Sequence, residues 1–175
     1  QRLYTAFFSK KTPKLMIDFF RNFCYNRIGI LGIQKGWYED EIGFIAHNSK
    51  KIPDGEFLLA YKYILSKHNL YATGITGRRI EEVTNLHVYK FLPGSVGGDK
   101  QFMDMIERNC MDMVIFFYNP LITSPNTADI YAISRCCDQY NIPMATNIAT
   151  AESLILGLSR GDLDWRLNIR SKDMD

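Results

Sequence analysis

Leu70-Tyr71-Ala72-Thr73-Gly74-Ile75-Thr76-Gly77 is the stretch whose reading decides the fold. A short apolar run, Leu70 to Ala72, has the character of a buried strand, and it passes directly into a turn of glycines and threonines. A helix follows around Ile80 to Val83. The same strand, turn and helix recur on both sides. Upstream, Ile42 to Ala46 is continuously apolar, as expected of a strand buried on both faces, and Phe57, Tyr61, Ile64 and Leu65 then recur at helical spacing. Downstream, Val88 to Leu92 reads as a third strand and Phe102, Met105, Ile106 and Asn109 as a helix. Met113 to Phe117 is the strongest strand, Ile130, Ile133, Cys137 and Tyr140 mark another helix, and Ile142 to Ala145 is a last strand. Thr150 to Arg160 forms the last helix, ending at Gly161, a good C-cap. This alternation predicts an α/β fold: a three-layer doubly wound domain around a central, mainly parallel five-stranded sheet.

In such sheets ligands lie beyond the carboxyl ends of the strands. The turn Thr73 to Gly77 offers helix-terminal N–H groups and two hydroxyls, which suits a phosphate; an ordinary turn with Thr76 as a helix cap uses the same residues. After the third strand comes Gly94-Ser95-Val96-Gly97-Gly98-Asp99, where Asp99 is either an N-terminal cap or a general base poised over a substrate. After the first strand, His47 stands where it can polarise a carbonyl or enediolate oxygen, and Lys51 can reach a phosphate. After the fourth come Asn119-Pro120 and then Thr123 to Asp129, for which turn chemistry is the simpler account.

The bulk properties narrow the field. A chain of 175 residues is one domain in size, and 46% hydrophobic residues suffice for a core. A net charge of +2 implies no nucleic-acid or acidic-membrane partner, though it helps attract an anion. Cys24, Cys110, Cys136 and Cys137 form no Cys-x-x-Cys pair, and His47, His68 and His87 are scattered, so no zinc pattern arises and free thiols in a reducing compartment are expected. No stretch suits a bilayer span, and lysines and arginines interrupt the apolar runs of the N-terminus, so a cytoplasmic protein without a signal peptide is expected. A chain beginning at Gln1 is expected to be processed, trimmed or part of something longer. Residues 1–40, basic and aromatic, are expected to form an arm serving packing or subunit contact, ahead of the α/β domain at 41–175.

Ala46-His47, Tyr71-Ala72-Thr73-Gly74 through Thr76-Gly77, Gly97-Gly98-Asp99, Phe116-Phe117, Asn119-Pro120-Leu121, Tyr140-Asn141-Ile142-Pro143 through Ala145-Thr146-Asn147, and Ala149-Thr150-Ala151-Glu152 occur in that order. Through these motifs, from about Ile42 to Trp165, the chain resembles the methylglyoxal synthase family. The resemblance implies elimination of phosphate from dihydroxyacetone phosphate to give methylglyoxal, with no metal or organic cofactor. It implies Asp99 as the base, His47 facing the substrate's oxygens, and Asp129 as a further active-site aspartate. Lys51, Thr73, Gly74, Ile75, Thr76 and Gly94 fall at the phosphate site, with Asn119 and Asn126 at substrate positions. A homo-oligomer is implied, commonly a homohexamer, with inorganic phosphate as product or regulator.

Several positions depart from the family. Asn119 and Asn48 replace aspartates, Asn126 replaces a histidine, and Ile75 and Pro93 replace hydroxyl residues of the phosphate site. Asparagine keeps its hydrogen bonds but does not titrate, and losing a group that stabilises the transition state costs about 10²–10³-fold in rate. Three readings therefore stand: a phosphate-eliminating lyase, a non-catalytic module binding a phosphorylated effector as in related domains of carbamoyl phosphate synthetase, and a structural or assembly role.

Overall fold

The computed structural model describes residues 39–47, 55–121 and 129–166. Almost all of the expected arm, together with Asn48, Lys51 and Asn126, lies outside the described residues.

The elements follow the expected alternation. They are β1 (Glu41–Ala46), α1 (Glu56–Ala60), α2 (Lys62–Leu65), β2 (Asn69–Ala72), α3 (Gly74–Thr84), β3 (Val88–Lys90), a 3-10 turn (Gly94–Val96), α4 (Gly98–Glu107), β4 (Met113–Phe117), α5 (Ile130–Gln139), β5 (Met144–Ala145) and α6 (Ile148–Arg160). The five strands pair in the order β3-β2-β1-β4-β5, and every pairing is parallel.

Alternation along the strands sorts the core into two layers. Ile42 and Phe44 of β1, Leu70 and Ala72 of β2, and Met113, Ile115 and Phe117 of β4 share one face. Phe57 and Leu58 of α1, Ile80 of α3, and Ala151, Ile155 and Leu158 of α6 cover it. On the opposite face Gly43 lies against Phe102 of α4, so closely that a Cβ there would sit 2.4 Å from the ring. α5 packs beside α4, burying Ile133 and Cys137. Helices thus cover both faces, as the apolar runs of β1 and β4 require.

Local chemistry adjusts the element ends. The single helical stretch expected over Phe57 to Leu65 is two helices that meet at Tyr61, whose backbone (φ −101°, ψ 6°) leaves helical geometry. β3 ends at Lys90 because the Leu92 N–H leaves the ladder and donates to the Gln101 side chain at 2.8 Å. β5 shrinks to Met144–Ala145: the Ile142 N–H bonds back to Cys137 O at 2.8 Å, and Pro143 has no N–H to offer. α6 begins at Ile148, where Asn147 caps it by accepting from the Thr150 N–H at 3.0 Å, and Gly161 (φ 81°) ends it. Cys110, Cys136 and Cys137 are buried, and burial pushes the Cys137 thiol up to about 12.

Candidate active site

The sheet order fixes where to look. The chain leaves β1 toward β2 on one side and β4 toward β5 on the other, so the topology switches between β1 and β4. A crevice for a ligand opens at the carboxyl ends of such a pair. His47 follows β1 there and Asn119 lies two residues beyond β4. The two are joined: the His47 N–H donates to Phe117 O at 3.3 Å, and the Asn119 N–H donates to His47 Nδ1 at 3.4 Å.

The His47 ring is only 4% exposed. Phe116 meets it edge-on at 5.1 Å between centroids, and Tyr118 does so at 5.2 Å. Its Nε2 is buried with no hydrogen-bond partner among the described residues. A buried donor left unpaired costs about 1–3 kcal/mol, a cost expected where a ligand atom completes the bond.

Asp99 approaches from the neighbouring loop. It stands in the first turn of α4, but Gly97, not Asp99, holds the cap position, and no side chain caps the helix. The cap reading of Asp99 therefore fails, and its carboxylate accepts no hydrogen bond from a described residue. Burial pushes the Asp99 carboxyl above its ordinary value, and any positive charge at His47 would oppose that rise. Gly94 makes the space for this carboxylate, since a Cβ at that position would lie 2.8 Å from Oδ1. Gly98 is bound more tightly still: a Cβ would come within 1.7 Å of Leu92 O.

The loop after β2 joins the same region. Thr73 precedes α3 with extended backbone (φ −62°, ψ 150°), and neither it nor Thr76 caps the helix. Instead the two buried hydroxyls bond to each other at 3.2 Å. The Gly74 N–H donates to Leu92 O at 3.3 Å, tying this turn to the Gly94 loop. No described residue accepts from the N–H groups of Ile75 or Thr76, so these donors at the positive end of an eleven-residue helix have no partner among the described residues. Ile75, 48% exposed, adds an apolar flank.

The remaining expected residues divide. Asp129 is exposed and caps α5, accepting from the Tyr131 N–H at 2.9 Å and the Ala132 N–H at 3.3 Å through Oδ1. Asn119 Oδ1 accepts from the Leu121 N–H at 3.0 Å, closing a side-chain turn around Pro120. Lys51 and Asn126 lie outside the described residues. Two contributors went unread in the sequence. Tyr118 flanks His47, and Gln101 holds the loop after β3 by accepting from the Leu92 N–H. No spacing or residue type distinguishes either from ordinary core or surface residues. Among the described residues no cluster of His, Cys, Asp and Glu is arranged to hold a metal ion.

A doubly wound α/β domain whose strand ends gather a carboxylate, an imidazole and an open helix N-terminus belongs to the class that binds small anionic ligands. The family model of the MGS-like domain matches residues 57–146. Methylglyoxal synthase of Caldicellulosiruptor saccharolyticus is 55% identical over 131 residues, covering 75% of this chain and 93% of that protein. Methylglyoxal synthase of Geobacillus sp. strain WCH70 is 52% identical over 132 residues, covering 75% and 94%. The crystal structure of methylglyoxal synthase from Elizabethkingia anophelis superposes with a TM-score of 0.63 at 38% identity, covering 67% of this chain and 77% of that one. The chain belongs to the methylglyoxal synthase family.

Proposed function

We propose that the chain is a carbon–oxygen lyase that converts dihydroxyacetone phosphate into methylglyoxal and inorganic phosphate. The observation that carries this reading is the Asp99 carboxylate: half-buried, without a hydrogen bond from a described residue, and within electrostatic reach of His47, which stands at the topological switch. A carboxylate so placed is available as a base. In this reading Asp99 removes a proton from the hydroxyl-bearing carbon next to the carbonyl. The electrons move onto the carbonyl oxygen as an enediolate, which His47 and neighbouring donors stabilise. The hydroxyl proton of the enediolate then passes to the former carbonyl oxygen. The electron pair it leaves forms the aldehyde, and the double bond shifts onto the phosphate-bearing carbon, breaking the carbon–oxygen bond to phosphate. The proton held by Asp99 balances the one that the CH2 carbon of the resulting enol later takes up. The leaving phosphate carries away the electron pair, and the enol left behind becomes methylglyoxal without any change of redox state.

The open amides of α3, with Thr73, Gly74 and Thr76, suit the phosphate end of the substrate. Lys51, Gly94, Asn119 and Asn126 join the site on the strength of the resemblance, as does Asp129 in addition to its capping duty. The family also supports a cytoplasmic homo-oligomer, a homohexamer in its common form, with phosphate as product or regulator; the basic and aromatic composition of residues 1–40 supports an arm ahead of the domain. No helix of the described residues is long and apolar enough to cross a membrane. An effector-binding module is not favoured, because relatives at 52–55% identity carry the name of the enzyme.

Phosphate release from dihydroxyacetone phosphate, compared between the chain as it stands and Asp99→Asn, tests the reading. Loss of a general base lowers turnover by about 10²–10⁴-fold. Equal release from both proteins would remove Asp99 from the chemistry, and no release from either would leave a binding module.

A further inference from the structure

We infer that the main-chain N–H of Asn119 and the rings of Phe116 and Tyr118 are positioning groups that hold His47 as a neutral imidazole with its proton on Nε2. The site then presents one fixed N–H donor to a substrate oxygen. The tautomer follows from the hydrogen bond: Nδ1 accepts from the Asn119 N–H at 3.4 Å, and a nitrogen that accepts carries no proton. The proton of the neutral ring therefore sits on Nε2, the buried atom without a described partner. Ring orientation follows from packing. Phe116 and Tyr118 meet the imidazole at interplanar angles of 79° and 66° and each other at 79°, so three rings lock edge to face. The backbone is held as well, by the bond from His47 N–H to Phe117 O. Among the described residues, one end of β4 thus supplies the hydrogen bonds and ring contacts that set the imidazole.

The donor to Nδ1 is main chain, which accounts for one of the departures from the family. Asparagine stands at position 119 where an aspartate is usual, yet the bond to His47 does not depend on the side chain. The Asn119 side chain is engaged elsewhere, on the Leu121 N–H. The role of the Nε2–H during turnover rests on the lyase reading; the tautomer itself does not.

Nitrogen-15 NMR of the full chain with labelled histidine, without ligand, tests the inference directly. His47→Gln identifies the His47 signals among the three histidines. The expected spectrum has an unprotonated Nδ1 and a protonated Nε2 in a single form, unchanged in Asn119→Ala because the donor is main chain. Tyr118→Phe keeps the ring edge and leaves the spectrum as it is. Tyr118→Leu mixes the tautomers and lowers kcat by roughly 10–100-fold, the scale set by a misplaced catalytic group, with little change in KM. A proton on Nδ1 in the unsubstituted chain overturns the inference, whatever the fate of the variants. A fixed Nε2–H form without phosphate release would sink the lyase reading and leave the tautomer standing, whereas turnover from a ring with mixed tautomers would do the reverse.

Discussion

Gly94 and Asp99 are a steric pair: a methyl group at position 94 would lie 2.8 Å from Oδ1 and 3.2 Å from Oδ2 of the carboxylate. The conflict falls on the side chain proposed as the base, while the Gly94 backbone is not strained. Gly94→Ala is therefore expected to fold and to swing Asp99 out of place. A displacement near 1 Å costs about 10²-fold in rate. Steady-state kinetics beside a thermal melt would check this: kcat falls, and Tm stays close to that of the parent chain. A normal kcat would mean that Asp99 has room to relax without losing function.

Asp99 also carries a pH signature. Burial raises its carboxyl above the ordinary value, so the folded chain holds the proton more tightly than the unfolded chain does. Between the unfolded and the raised folded value the native state binds more protons, and stability falls as pH rises through that window. At neutral pH the ionised group is therefore a net cost to the fold. Asp99→Asn should melt higher than the parent at neutral pH, and the difference should vanish in acid, while activity is lost. The acid limb of kcat/KM in the parent should lie above the ordinary aspartate value. A lower Tm for Asp99→Asn at neutral pH would contradict the direction of the shift.

Legibility in the sequence divided along physical lines. β1 and β4, buried on both faces, read directly from their continuous apolar runs, and Gly161 read as a C-cap because only a left-handed residue ends a helix that way. The strand ends carrying His47, Thr73 and Asp99 were also legible, since each follows an apolar run. The short β5 was not, because its length depends on where the Ile142 N–H bonds in space. Position alone left Asp99 between a cap and a base: a carboxylate in a first helical turn looks like a cap, and the left-handed Gly97 at the cap position removes that reading. The aromatic brace on His47 depends on ring angles, which no spacing encodes.

Asp129 has a structural duty that can be separated from any catalytic one. Its Oδ1 accepts from two amides at the start of α5. Replacing a cap by alanine costs about 0.5–2 kcal/mol, whereas asparagine keeps the acceptor oxygen. Asp129→Ala should lower stability by that amount and Asp129→Asn by much less, measured by denaturant unfolding. If Asp129→Asn nevertheless loses phosphate release at full stability, the charge serves the chemistry; if turnover persists, the residue is a cap alone.

Arg166 defines the end of the sheet that chemistry does not use. Its guanidinium is 1% exposed and lies 3.7 Å from Asp112, the residue before β4. It donates to Tyr140 O at 3.0 Å and to Asn141 O, and through its other terminal nitrogen to Asn109 Oδ1 at 3.0 Å and Met111 O at 3.1 Å. Asp112 in turn accepts from the Glu41 N–H at 2.9 Å, and Glu41 from the Asn69 side chain at 3.0 Å. One buried cation thus ties the amino ends of β1, β2 and β4 to the corner before β5, opposite the strand ends that carry His47 and Asp99. Removing one partner of a buried ion pair strands the other charge, at a cost of about 3–5 kcal/mol. Arg166→Ala should lose that much stability. Adding Asp112→Asn should recover part of it, because the stranded charge is then gone while an amide still offers hydrogen bonds. Below its melting point the single variant should release phosphate at the parent rate. A drop in kcat at full folding would mean that the two ends of the sheet are coupled, and that the corner before β5 transmits strain to the site.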